Sequence, residues 1–279
     1  MIPLILLLAA WLVVPGGFAA APETVQVQSR DSSKLLSAYL WKPQGEGPFP
    51  AIVMMHGRAG AYSSRAAGKY DATTLSQRHL QWGEFWAERG YVALHVDSFG
   101  ARGFAGGFGI HTYNSRPAAV SEQNVRPLDA LGALDYLRAR RDVLPARIGL
   151  FGWSNGAMAV LATLGLPPAA DGGFKAAIAF YPGCGAQDRD AYRPSAPLLM
   201  LLAANDEEVS PRICERVAKR LLGHNAPVEY AVYPGAQHAF DDPGIARQAL
   251  PANRAATDDA KMRAEKFFAQ HLSAHNSPR

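Results

Sequence analysis

The chain has 279 residues, 48% of them hydrophobic and 19% charged, with a formal charge of +4 and a pI near 9.1. This length and apolar content suit one large α/β domain and exclude a disordered chain, the polar tail at 273–279 apart. The positive balance would admit nucleic acid as a partner, but Lys and Arg are scattered and no basic run is interleaved with aromatics. Nucleic acid is therefore excluded, and a mildly basic, solvated surface remains.

Taken in chain order, residues 2–14 form an uncharged apolar run followed by Pro15, Gly16, Gly17 and small residues up to Ala21. This is the pattern of a secretory signal with a small-residue cleavage site, and it is too short to span a bilayer comfortably. No Lys or Arg precedes it, which departs from the usual signal. The expectation is a signal peptide at 1–20, cleaved near Ala19 or Ala20, and a single exported domain at 21–279, periplasmic or secreted. No stable membrane span remains after processing; an uncleaved anchor is the alternative.

Thr24 to Arg30 alternates apolar and polar, and Lys34 to Trp41 is a second β-like run, so the two read as a hairpin turning at Asp31-Ser32-Ser33. Pro50 to Met55 is a buried-strand run stopped by His56-Gly57. Gln81 to Arg89 reads as a helix ended by Gly90, and Tyr91 to Val96 as a strand closed by Asp97. Pro127 to Arg141 reads as a helix with Leu128, Leu131, Leu134 and Leu137 on its apolar side. Arg147 to Phe151, Lys175 to Tyr181, Pro197 to Ala203 and Val228 to Tyr233 are further strands. Helices at Pro211 to Leu222 and Ala256 to His271 follow the last two. Continuous apolar strands alternating with helices belong to a sheet covered on both faces. The predicted fold is α/β: an eight-stranded, mostly parallel sheet with an antiparallel N-terminal hairpin and helices on both faces.

Two polar or glycine-rich stretches, 58–80 and 98–120, leave the carboxyl ends of strands, where open α/β sheets bind ligands. Loops of this length commonly serve as lids or pocket walls. Gly103, Gly106, Gly107 and Gly109 open no helix, so they form no dinucleotide fingerprint, and no cofactor is expected.

Gly152-Trp153-Ser154-Asn155-Gly156 carries the most chemistry. It joins the apolar run Arg147 to Phe151 to a helical start at Ala157 to Leu161. A strand turning sharply into a helix between two glycines raises one hydroxyl above the sheet. Serine needs a base in hydrogen-bond reach, and the base needs an orienting acid. On such an architecture the order is Ser, acid, His, each following a strand. Asp206 follows Pro197 to Ala203, and His238 follows Val228 to Tyr233. The alternatives are plain: Asp206 as a helix cap, with Glu207 or Glu208 as the acid, and His56, His79, His95 or His111 as the base. His56 reads better as a brace for its loop, and His95 as core. Backbone N–H groups of Arg58 and Asn155 are the expected oxyanion donors. Cys184 and Cys214 suit a single bridge in an exported protein, or two buried thiols if the chain is not exported. Their spacing fits no zinc site, and no metal is expected.

The chain resembles the dienelactone hydrolase family of the α/β-hydrolase fold from about Leu36 to His271. The resemblance rests on Met54-Met55-His56-Gly57, on Val96 to Gly103 and on the Gly152 to Gly156 pentapeptide. It rests further on Phe180-Tyr181-Pro182-Gly183-Cys184 and on Tyr233 to Phe240. The family's namesakes carry a cysteine nucleophile and a glutamate in the oxyanion turn, where this chain has Ser154 and Gly57. The resemblance therefore implies a cofactor-free serine hydrolase acting on a small-molecule ester or lactone, rather than on dienelactone itself. A small-peptide or amide hydrolase with the same triad and a ligand-binding protein on a hydrolase frame are the rivals. Arg58, Arg65, Lys69, Arg78 and Arg102 read either as attraction for a carboxylate-bearing substrate or, for most of them, as solvated surface charge. Nothing in the sequence sets an oligomeric state.

Overall fold

In the computed structural model, which describes residues 21–31, 34–167, 172–189 and 191–273, strands β1 (Glu23–Gln28) and β2 (Leu35–Trp41) form an antiparallel hairpin. β2 then pairs antiparallel with β4 (Val92–Val96). From β4 onward every pairing is parallel, through β3 (Phe49–Met55), β5 (Val143–Trp153), β6 (Ala176–Phe180), β7 (Leu198–Ala203) and β8 (Val228–Tyr233). The eight-stranded order is β1-β2-β4-β3-β5-β6-β7-β8. The expected fold class is the one observed. The signal-peptide reading at 1–20 lies outside the described residues.

The helices are α1 (Gln77–Glu88), α2 (Arg126–Arg138), α3 (Asn155–Leu164), α4 (Pro211–Gly223), the short α5 (Ile245–Gln248) and α6 (Pro251–Leu272). Successive side chains on a strand point to opposite faces, so each central strand feeds two cores. On β5, Ile148 and Leu150 join Met55, Leu134, Leu161 and Leu202 under α2, α3 and α4. Phe151 and Trp153 join Trp82, Trp86, Phe180 and Phe268 under α1 and α6. The second core is built from edge-on rings, with Phe151 4.9 Å from Trp82 and 4.9 Å from Phe180. Such pairs add to the area they bury.

Several elements differ from the sequence reading: β5 runs from Val143 to Trp153 rather than from Arg147 to Phe151, and the short α5 has no counterpart in it. α1 begins at Gln77, where the Ser76 hydroxyl accepts the His79 N–H, because a polar first turn hides a helix from apolar periodicity. α6 begins at Pro251, a residue suited to a first helical position. On α2 the buried stripe runs through Arg126, Asp129, Ala130, Ala133, Leu134 and Leu137, while Leu128 and Leu131 are only half-buried. A strict three-residue step drifts off a face whose period is 3.6. Among the described residues no helix is long and apolar enough to cross a membrane.

Candidate active site

Ser154 sits between β5 and α3 with φ 52° and ψ −116°, left-handed backbone that a side chain adopts only under strain. Its neighbours explain why the turn holds. A Cβ on Gly156 would lie 1.9 Å from the Met55 carbonyl oxygen, and one on Gly152 would lie 2.6 Å from Gly156. Only glycine at both positions lets the strand reverse into the helix this tightly. The Ser154 N–H donates to Phe180 O at 2.9 Å, and its carbonyl accepts the Met158 N–H at 2.9 Å. Backbone is thereby fixed on both sides of the hydroxyl.

Ser154, Asp206 and His238 meet at the carboxyl rim of the sheet. Ser154 Oγ lies 2.9 Å from His238 Nε2, and His238 Nδ1 lies 2.8 Å from Asp206 Oδ2. The other Asp206 oxygen accepts N–H groups of Glu208 and Val209, each at 2.9 Å. A carboxylate held this way needs the Nδ1 proton, which leaves the Nε2 lone pair facing the serine. The two other acid candidates go elsewhere. Glu207 accepts the His238 backbone N–H at 2.9 Å, and Glu208 takes a bidentate pair from Arg58 at 2.6 and 2.7 Å. Burial opposes ionisation of Glu208, but the Arg58 hydrogen bonds and the charges of His238 and Arg58 outweigh it and hold its carboxyl below the usual range.

The His56 to Gly60 turn lies against the serine, for a Cβ on Gly57 would be 3.5 Å from Ser154 Cβ. The Ser98 N–H donates to His56 Nε2 at 3.2 Å, so the proton is on Nδ1 and is donated to Gly57 O at 2.8 Å. Gly60 N–H donates to the same oxygen at 3.2 Å. With that carbonyl pinned, the planar Gly57–Arg58 peptide turns the Arg58 N–H to the opposite side. Arg126 Nη2 donates to His56 O at 2.6 Å and fixes the preceding peptide too. Burial, then the Arg126 charge, drive the His56 pKa well down, so the ring is a neutral brace. Asn155 opens α3, whose first N–H groups have no partner within the helix and carry its positive dipole end.

Some residues near the site were not singled out in the sequence. Tyr181, itself at φ 39°, stands edge-on to the His238 ring at 4.8 Å. Its hydroxyl donates to Asp241, which also receives the indole N–H groups of Trp82 and Trp153 at 2.8 and 2.9 Å. Burial, then the Asp241 charge, push the Tyr181 phenol well up, so it stays a donor. Arg116 donates to Asn155 Oδ1 at 2.6 Å and to Glu122 at 2.9 Å. The remaining basic candidates are mostly spoken for: Arg78 by Tyr181, Arg102 by Asp31 and Asp129, Lys69 by Asp71. Arg65 lies on the exposed surface.

Beside Ser154 opens a cleft of about 360 Å³ bordered by Asn155, Met158, Arg58, Glu208 and Arg116. Among the described residues no group of three or more His, Cys, Asp or Glu could hold a metal ion. Cys184, just after β6, and Cys214, in α4, are bonded across a separation of 30 residues, closing a loop that contains Asp206. In the chain-entropy account a loop of this length stabilises by roughly 3–4 kcal/mol. A Cys184→Ser, Cys214→Ser double variant is expected to lose that much in urea unfolding; an unshifted midpoint would show that the bridge contributes nothing.

The model of the dienelactone hydrolase family matches residues 36–272. A presumed hydrolase of Bacillus subtilis (strain 168), YtaP, is 31% identical over 133 residues, which make up 43% of this chain and 41% of that relative. The chain thus matches about two fifths of that protein's length. Among solved structures, a presumed dienelactone hydrolase of Klebsiella pneumoniae subsp. pneumoniae MGH 78578 superposes with a TM-score of 0.68 at 19% identity, covering 90% of this chain and all of the other. Esterase 2 of Thermogutta terrifontis, phosphorylated by paraoxon, superposes with a TM-score of 0.64 at 18% identity, covering 96% of this chain and all of the other. At such identities the two superpositions speak for the fold.

Proposed function

The chain belongs to the dienelactone hydrolase family, and from that premise we propose that it is a serine hydrolase cleaving carboxylic esters or lactones through an acyl-enzyme. One observation carries the reading: an unbroken line of hydrogen bonds from Ser154 Oγ through the His238 ring to Asp206. Ser154 Oγ attacks the carbonyl carbon while His238 Nε2 takes its proton, and Asp206 holds the ring tautomer and steadies the imidazolium. The Arg58 and Asn155 N–H groups receive the oxyanion, at roughly 3–4 kcal/mol per donor. The imidazolium returns its proton to the leaving alkoxide oxygen. Water, activated by the same ring, then releases the acid and restores the hydroxyl. Substituting Ser154 with Ala should abolish turnover of p-nitrophenyl acetate and labelling by a fluorophosphonate.

We also propose export, with cleavage near Ala19 or Ala20. The Cys184–Cys214 bridge supports it, since disulfides persist in oxidising compartments. Mass spectrometry of the purified native protein should find an N-terminus close to Ala20 or Ala21. An intact Met1 would overturn cleavage.

A further inference from the structure

The cations on the cleft wall are already answered by carboxylates of the protein. Arg58 spends Nε and Nη2 on Glu208 and Nη1 on the Phe108 carbonyl. Arg116 spends Nη1 on Glu122 and Asn155, and Nε on the Thr112 hydroxyl. Behind Arg116, Arg102 is paired with Asp31 and Asp129, while the buried Arg126 donates to the His56 carbonyl oxygen. His111 is a further titratable group on the lining, and it stands at the exposed rim. Between these pairs Met158, Val209, Ile110 and Tyr113 give the cleft apolar surface beside Asn114, with Ile110 and Tyr113 left 50% and 44% exposed. A carboxylate entering here would give up part of its hydration and meet cations already paired with carboxylates, an exchange unfavourable to a charge.

The cleft also has a direction. A leaving alkoxide must lie beside His238 Nε2 to receive its proton. Among the described residues the cleft is lined by Ser154, Asn155 and Arg58 but not by His238. It opens beside Arg58 and Asn155, the oxyanion donors of the proposed mechanism, and the acyl chain is assigned to it. Glu208 lines the cleft, and its Oε2 lies 3.7 Å from His238 Nε2. From this we infer that the enzyme is selective for esters of uncharged, apolar acyl groups and discriminates against half-esters of dicarboxylic acids, with Glu208 as the specificity-determining residue. The inference rests on the serine-hydrolase reading and adds the substrate class to it. Glu208 acts by occupying Arg58, the guanidinium that a substrate carboxylate would otherwise use.

The test compares kcat/KM for p-nitrophenyl butyrate and mono-p-nitrophenyl succinate, which differ chiefly in one terminal carboxylate, each corrected for its rate with hydroxide. The full-length enzyme should favour the butyrate at least about tenfold, since a charge penalty of about 1.4 kcal/mol already gives that factor. A smaller ratio, or preference for the succinate, overturns the inference. In Glu208→Gln the released guanidinium should cut the ratio about fivefold or more; an unchanged ratio in the folded variant overturns the role of Glu208. The wild-type comparison decides the substrate class whether or not that variant folds. Failure of the wild type on both esters, or equal turnover by Ser154→Ala, would instead strike down the hydrolase reading beneath it.

Discussion

Ser154→Ala is expected to lower kcat on p-nitrophenyl acetate about ten thousandfold to a millionfold while the chain keeps its fold. The substitution deletes one oxygen that is buried, bonded to His238 Nε2 and not part of either core. Triads act as a unit, so loss of the nucleophile forfeits the contribution of base and acid together. What survives is the activity of the oxyanion donors and of binding, on the order of a thousandfold to ten thousandfold over water. Stability should change little, because the β5–α3 turn is held by backbone bonds and by Gly152 and Gly156 rather than by the hydroxyl. The checks are steady-state kinetics, fluorophosphonate labelling and a thermal melt of the same sample. A loss smaller than about a hundredfold in kcat would remove Ser154 from the nucleophile's role.

Acid should unfold this protein early. His56, His79 and His95 are all buried, and their rings form a file, 6.0 Å between His56 and His95 and 4.2 Å between His95 and His79. Burial drives all three pKa values down, His95 to about 3, with the Arg126 charge acting next on His56 and His95 and the His95 ring next on His79. In the unfolded chain each titrates near the ordinary value of about 6.5. The folded form therefore binds fewer protons, and stability present above that value is lost as pH falls toward the folded pKa. Three such groups would remove up to about 5 kcal/mol between pH 7 and pH 5, a large part of a typical domain's stability. Asp97 works against this once protonated, since burial raises its pKa. Urea midpoints at pH 7, 6 and 5 should fall steeply. His95→Phe should flatten the slope by about a third, because neither His95 nitrogen has a hydrogen-bond partner among the described residues. A flat profile in the wild type would show that the buried rings do not set its acid response.

Much of the fold was legible because β3, β5, β6 and β7 are buried on both faces and read as unbroken apolar runs. Helix starts were less so: the first turns of α1 and α6 are polar, and their signals, Ser76 and Pro251, are single residues. Candidate site residues stood out where each followed a strand, which is a statement about chain order. Their separations are not in the sequence. Still less legible was the pairing of Arg58 with Glu208, 150 positions apart, or of Trp82 with Asp241, 159 positions apart. Side-chain direction on a loop depends on the loops beside it, and no local pattern records it. The one sequence signal for Asp241 is an acid three residues past His238 in an aromatic setting, and carboxylates in turns are common.

Sheet order sets one further limit on the chemistry. Ser154 leaves β5 and Asp206 leaves β7, with β6 between them. Neighbouring strands stand about 4.8 Å apart, so alcohol and carboxylate are anchored roughly 10 Å from each other. An imidazole delivered from beyond β8 spans the distance and joins them. The width of the sheet thus dictates the length of the relay, and the Tyr181 ring, one residue past β6, stands edge-on to the imidazole.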